Sequence, residues 1–159
     1  MTTRVRVDTS TPGTPVLHFT RRYEHPRSAV WAALTTGEAL SRWFPCQVEI
    51  DARRGGALTL TFPDEAPETA PITEFDPPRT LAFRWAGEDL RWTLEEDGEG
   101  CVLRLSNTVV DPAWTANTAA GWDVCLDALA AALDGRPRRA GAGPDEELIA
   151  RYRTVLGTE

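Results

Sequence analysis

Six short runs of alternating apolar and polar residues follow one another between Gln47 and Ser106, with no helix-length pattern among them. Val48 and Ile50 alternate in the first, and Leu58, Leu60 and Phe62 in the second. Ile72 to Asp76 is the third. Leu81, Phe83 and Trp85, then Leu90, Trp92 and Leu94, then Cys101, Leu103 and Leu105 complete the series. Gly55-Gly56, Pro77-Pro78 and the hairpin signal Asp97-Gly98-Glu99-Gly100 punctuate it. This alternation predicts an antiparallel sheet with one buried and one wet face. It excludes strand–helix–strand units and a parallel sheet.

Helical segments bracket the run. Val16 to Glu24 predicts a seventh strand, with Leu17, Phe19, Arg21 and Tyr23 in one phase. Pro26 stops it and suits the first turn of a helix over residues 27–35, carrying Val30, Trp31 and Leu34. Thr35-Thr36-Gly37 breaks that helix, and a second short one follows with Leu40, Trp43 and Phe44 on one side. Asp111 is a suitable N-cap and Pro112 a suitable first residue for a long helix. Its stripe runs Trp114, Thr118, Gly121, Trp122, Cys125, Leu129, Ala132 and Leu133, and is expected to lie on the apolar face of the sheet. Gly135 and Pro137 end it. The predicted organisation is a flexible N-terminal tail over residues 1–15, rich in Thr, Ser, Pro and Gly, then one domain over 16–135. A linker over 136–144 and a short helix from Asp145 to Leu156 make up the C-terminal 136–159 segment, with Leu148, Tyr152 and Leu156 on one side.

A net charge of −7 argues against nucleic acid, whose phosphates demand a basic face, and against an anionic membrane surface. All 17 basic residues are Arg, so no Lys is available as a Schiff-base nucleophile. Cys46, Cys101 and Cys125 are far apart in sequence and lack metal-ligand spacing, which predicts reduced thiols in a cytoplasmic protein. No apolar run reaches the length of a signal peptide or a membrane span, so no membrane insertion is expected. No cofactor or metal is expected either, since His18 and His25 sit on one strand and its corner without a partner cluster.

The order strand, two short helices, six strands, long helix resembles the helix-grip superfamily of START and birch-pollen-allergen-like proteins (SRPBCC). Within it, the chain is most similar to homologues of the heat-shock chaperone ATPase activator, the AHSA type. His25-Pro26 with Val30-Trp31, Thr35 to Trp43-Phe44-Pro45, Gly55-Gly56, and Asp76-Pro77-Pro78-Arg79 with Leu81 and Trp85 carry the likeness. Gly100, and Gly121-Trp122 with Leu126 and Leu129, complete it over residues 17–135. The resemblance implies an α+β helix-grip fold, a curved antiparallel sheet of about seven strands wrapped around the long C-terminal helix. A cavity, or its collapsed remnant, would lie between them. It implies no shared catalytic residue.

Trp43, Phe62, Phe83, Trp85, Trp92 and Trp122 fall mostly in the apolar phase, so they either line a ligand cavity or fill a core. Cys125 lies on the inner side of the long helix and reads as a small buried hydrophobe beside them. Arg21 lies in the inward phase, and Glu74 shares the phase of Ile72. A buried charge requires a partner, so the two form either a ligand-facing or a purely structural ion pair, unless a phase slip near Pro71 turns Glu74 outward. These nine residues are the candidate lining. A domain binding a hydrophobic or aromatic small molecule is the leading expectation. The alternatives are an interaction protein, binding a chaperone or forming a homodimer, and a cyclase- or aromatase-like enzyme using Arg21, Glu74 and Asn107.

Overall fold

The computed structural model describes residues 3–136 and 144–157. Eight strands form one open antiparallel sheet in the order β1-β2-β8-β7-β6-β5-β4-β3. They are β1 (Arg4–Asp8), β2 (Val16–Tyr23), β3 (Gln47–Ile50), β4 (Ala57–Thr61), β5 (Glu68–Asp76), β6 (Thr80–Trp85), β7 (Glu88–Asp97) and β8 (Gly100–Thr108). α1 (Arg27–Thr35) and α2 (Gly37–Trp43) carry the chain from β2 to the far edge of the sheet. The six-strand meander then returns, placing β8 beside β2 with Leu17 opposite Asn107 and Tyr23 opposite Cys101. α3 (Thr115–Leu133) follows, and α4 (Glu146–Leu156) packs on α3. The sheet curves and α3 fills its concave side, which is the helix-grip arrangement.

Local chemistry explains the breaks. Thr36 is extended between the two short helices, while the hydroxyls of Thr35 and Thr36 donate back to the carbonyls of Trp31 and Ala32 at 2.8 and 2.9 Å. Gly37 then starts α2 against β3, where a side chain would bring its Cβ within 2.9 Å of the Val48 carbonyl oxygen. Asp145 caps α4 by accepting from the Leu148 N–H at 2.8 Å.

Three expectations need correction. Residues 4–8 lie in the stretch expected to be a frayed tail, yet they form the eighth strand, with Val5 opposite Phe19 and Val7 opposite Leu17. Trp114 does not join the buried stripe. Pro112–Trp114 is a single 3-10 turn, whose tighter period rotates Trp114 off the face that α3 follows, and it is 58% exposed. Glu74 does not share the inward phase of Ile72. A bulge between those two residues shifts the register against β6 and sends Glu74 outward, with Phe75 turned in against Trp31. The linker expected over 136–144 falls almost wholly outside the described residues.

α3 is weakly amphipathic because it is covered on several sides. Trp122, Leu126 and Leu129 are buried, as are Ala116, Ala119, Ala120 and Ala128, and the helix touches α1, α2 and α4 as well as β2. Between α3 and the sheet stands an aromatic block. Trp43, Phe44, Trp92 and Trp122 meet mostly edge to face, with ring centroids 5.3 Å apart for Trp92–Trp122 and 5.5 Å for Trp43–Trp92. The indole of Trp43 donates to the Ala33 carbonyl at 2.9 Å, which fixes α2 against α1.

Candidate functional site

A recess of about 240 Å³ opens where the first half of α3 meets the β6–β7 turn and the adjoining end of the sheet. Trp85, Glu88, Leu90 and Asn107 line it from the strands, and Thr118, Gly121, Trp122 and Cys125 from the helix, with Pro45 closing one side. Alternation on β7 and β8 brings Leu90 and Asn107 inward, and the helical repeat brings Thr118, Gly121, Trp122 and Cys125 to one side. At Gly121 an added Cβ would meet no atom within 4 Å. The rim includes Ala86, held at φ 53° in a two-residue turn with Gly87 at φ 81°. Positive φ at both central residues is the hairpin geometry that matches strand twist, and it strains an alanine.

The polar groups at this recess are tied to one another. Asn107 is 1% exposed, and its Oδ1 accepts from the Trp122 indole N–H at 2.7 Å. Its Nδ2 donates to the Thr108 carbonyl at 2.8 Å and to Glu88 Oε1 at 3.1 Å. Glu88 Oε2 accepts from the Val110 backbone N–H at 3.0 Å. The Asn107 amide has therefore spent both hydrogens on protein partners. Glu88 keeps acceptor capacity, since a carboxylate offers about four lone-pair sites.

A second recess of about 420 Å³ lies between the end of α2 and β4, with Ser41, Phe44, Thr61 and Phe62 among its walls. Trp85 stacks on Phe44 and on Phe62, with centroids 6.4 and 6.1 Å apart, so one aromatic wall divides the two recesses.

The structure distributes the nine candidate residues among five places. Trp85, Trp122 and Cys125 line the first recess and Phe62 the second. Trp43, Phe83 and Trp92 are buried in the core. Arg21 is buried some distance along β2 and donates to Asp127 Oδ1 on α3 at 2.5 Å, with Tyr23 beneath its guanidinium. Glu74 faces outward and accepts from Arg91 at 3.1 and 3.4 Å. The Arg21–Glu74 pair does not form: the alternative of a phase slip near Pro71 holds, as the β5 bulge, and each charge has its own partner.

Leu90, Glu88, Pro45 and Thr118 escaped the sequence reading as lining residues. Leu90 is in the inward phase two residues from Trp92, and Thr118 lies on the inward stripe of the long helix; Glu88 and Pro45 have no signal short of tertiary contact. Titratable groups elsewhere are structural. Burial raises the Tyr23 phenol, whose O–H donates to the Leu126 carbonyl at 2.9 Å. Burial also lowers His18 and raises the Cys101 thiol. His25 Nε2 lies 2.8 Å from Asp134 Oδ1. Among the described residues no cluster of His, Cys, Asp and Glu could hold a metal, and no helix is long and apolar enough to cross a membrane.

Sheet, gripping helix and recess define a helix-grip domain of the SRPBCC type. Residues 24–134 match the family described as Activator of Hsp90 ATPase homolog 1-like protein, and the chain belongs to that family. Solved structures agree on the fold. A conserved protein of unknown function from Enterococcus faecalis superposes with a TM-score of 0.77 at 21% identity, covering 99% of this chain and 92% of its own. CalU16 from Micromonospora echinospora gives 0.73 at 22% identity, covering 99% and 97%. DynU16, a protein in the dynemicin biosynthetic locus, gives 0.68 at 24% identity, covering 78% of this chain and 49% of its own. Among curated proteins, none matches the sequence.

Proposed function

We propose that this protein binds a small, flat, predominantly apolar molecule in the recess between Trp85 and Gly121. Gly121 carries the reading. A glycine in the interior of a helix costs about 1 kcal/mol relative to alanine. It is normally excused by a close backbone approach, yet here an added Cβ would meet open space. What the missing side chain provides is room beside the indoles of Trp85 and Trp122. At about 240 Å³ the recess is smaller than the roughly 300–1,000 Å³ of drug-sized sites and suits one or two fused rings. The Asn107 amide hydrogens and the Trp122 indole N–H are spent on protein partners, which favours binding over catalysis. DynU16, a fold neighbour, is a protein in a biosynthetic locus, a setting that suits a small-molecule ligand.

Titration with 2-ethylnaphthalene tests this, followed by the fluorescence of the indoles that line the recess. Quenching or a spectral shift that saturates in the wild type is expected. Gly121→Leu, whose Cβ meets no atom within 4 Å and whose side chain would occupy the recess, should weaken binding about tenfold or more, a loss of at least roughly 1.4 kcal/mol. Equal binding by both proteins would remove the recess as the site.

A further inference from the structure

The indole Nε1 of Trp92 is buried and has no hydrogen-bond partner among the described residues. The chain places its other central indoles differently. Trp43 donates to Ala33 and Trp122 to Asn107. A buried N–H left without an acceptor costs about 1–3 kcal/mol. The rings of Trp43 and Trp122 meet Trp92 at 80° and 82°, and an aromatic face is at best a weak acceptor. Its cross-strand neighbours are Leu81 and Leu105 and its ring neighbours Trp43, Phe44 and Trp122, and none of these gives the indole N–H an acceptor.

Its position relative to the recess is the second observation. Leu90, two residues before Trp92 on the same inward face of β7, lines the recess. Trp122 lines it too, and its ring centroid is 5.3 Å from that of Trp92. Phe44 packs over Trp92 at 6.2 Å and over Trp122 at 5.6 Å, while Pro45, the next residue, closes the recess. Trp92 is thus one ring deep from the open space. Trp122 is tethered through Asn107, so the route from the recess to the donor runs past the Phe44 ring. At the mouth the ionisable group is Glu88, which when charged only accepts. The deepest polar atom that a ligand could meet is therefore a donor.

We propose that the recess takes an aromatic ligand carrying a hydrogen-bond-accepting oxygen, and that the Trp92 indole N–H receives that oxygen beneath the Phe44 and Trp122 rings. This rests on the binding reading above and adds to it the chemical class of ligand: an aryl ketone, quinone or similar carbonyl compound.

Two probes of one shape separate the possibilities: 2-acetylnaphthalene, which offers a carbonyl oxygen, and 2-ethylnaphthalene, which does not. In the wild type the ketone is expected to bind about three- to tenfold more tightly, the range that one net hydrogen bond gives. Six Trp residues give six indole N–H signals to follow in a ¹H–¹⁵N spectrum. That of Trp92, assigned through bonds, should move downfield with the ketone and stay in place with the hydrocarbon. Trp92→Phe should abolish the preference for the ketone over the hydrocarbon. The wild-type spectrum carries the test even if that variant does not fold. Equal affinities for the two probes with an unmoved Trp92 signal would overturn the acceptor assignment and leave the recess standing. Binding of neither probe to the wild type would overturn both.

Discussion

The two halves of α3 face the same sheet under different terms. Around Leu126 the helix is stapled. The Tyr23 phenol donates to the Leu126 carbonyl, Arg21 to Asp127, and the Tyr152 hydroxyl of α4 to Asp123. Around Gly121 the Trp122–Asn107 hydrogen bond ties the helix to the sheet, and a recess stands where a side chain would fit. Rigidity at one end and space at the other is what a binding domain needs. Strain and missing contacts concentrate where a ligand would enter, and close packing elsewhere supports them.

The sharpest way to break this contrast is to substitute in both halves. Leu126 is fully buried at the stapled end, so Leu126→Ala should cost about 2–5 kcal/mol in urea unfolding, through lost transfer energy and the cavity left behind. Gly121→Ala runs the other way. It adds a methyl group to open space and removes a helix-interior glycine, so it should raise stability by up to about 1 kcal/mol. A loss of stability in that variant would mean that Gly121 serves packing, and the proposed function would lose its main support.

Arg21 sharpens the picture of the stapled end. It is buried, yet Asp127 is 68% exposed at its side chain and stays solvated if the partner is removed. The Arg21 Nε also lacks an acceptor among the described residues. Arg21→Met keeps the apolar stem and leaves no buried orphan charge, so it should change stability by less than about 1 kcal/mol in either direction. A loss of several kcal/mol in thermal unfolding would show that this ion pair, rather than the hydrophobic contacts, holds the helix down.

Most of the architecture was legible because it follows from period-two and helical repeats. Leu17, Phe19, Arg21 and Tyr23 lie inward as their spacing demands, and the two-residue turn after Asp97 falls where Gly98 allows positive φ. What failed did so where one local event resets the phase. The β5 bulge reversed Glu74, the 3-10 turn exposed Trp114, and Arg4–Asp8 gains its strand only by pairing with β2. The candidate site was legible in part. Trp85, Trp122 and Cys125 follow from periodicity. The recess itself does not, for it is assembled from a hairpin, a strand end and a helix that meet only in the folded chain, and its defining feature is a side chain that is not there.

The smallest effect lies at the far end of α3. Asp134 caps the helix C-terminus, where the helix dipole disfavours negative charge. The hydrogen bond from His25, then that from Arg136, holds the carboxyl below its ordinary value. A carboxyl whose folded-state value is depressed contributes stability above its unfolded-state value, near pH 4, and loses that contribution as pH falls through the lower folded value. The window therefore lies on the acid side, below about pH 4, and not at neutrality. His25→Ala should raise the Asp134 titration midpoint, read from its side-chain carboxyl ¹³C shift, and flatten the acid-side decline in stability. An unmoved midpoint would assign the depression to Arg136 and detach the α1 corner from the end of the helix. The stapling of α3 would then end at Asp127 instead of running to its last turn.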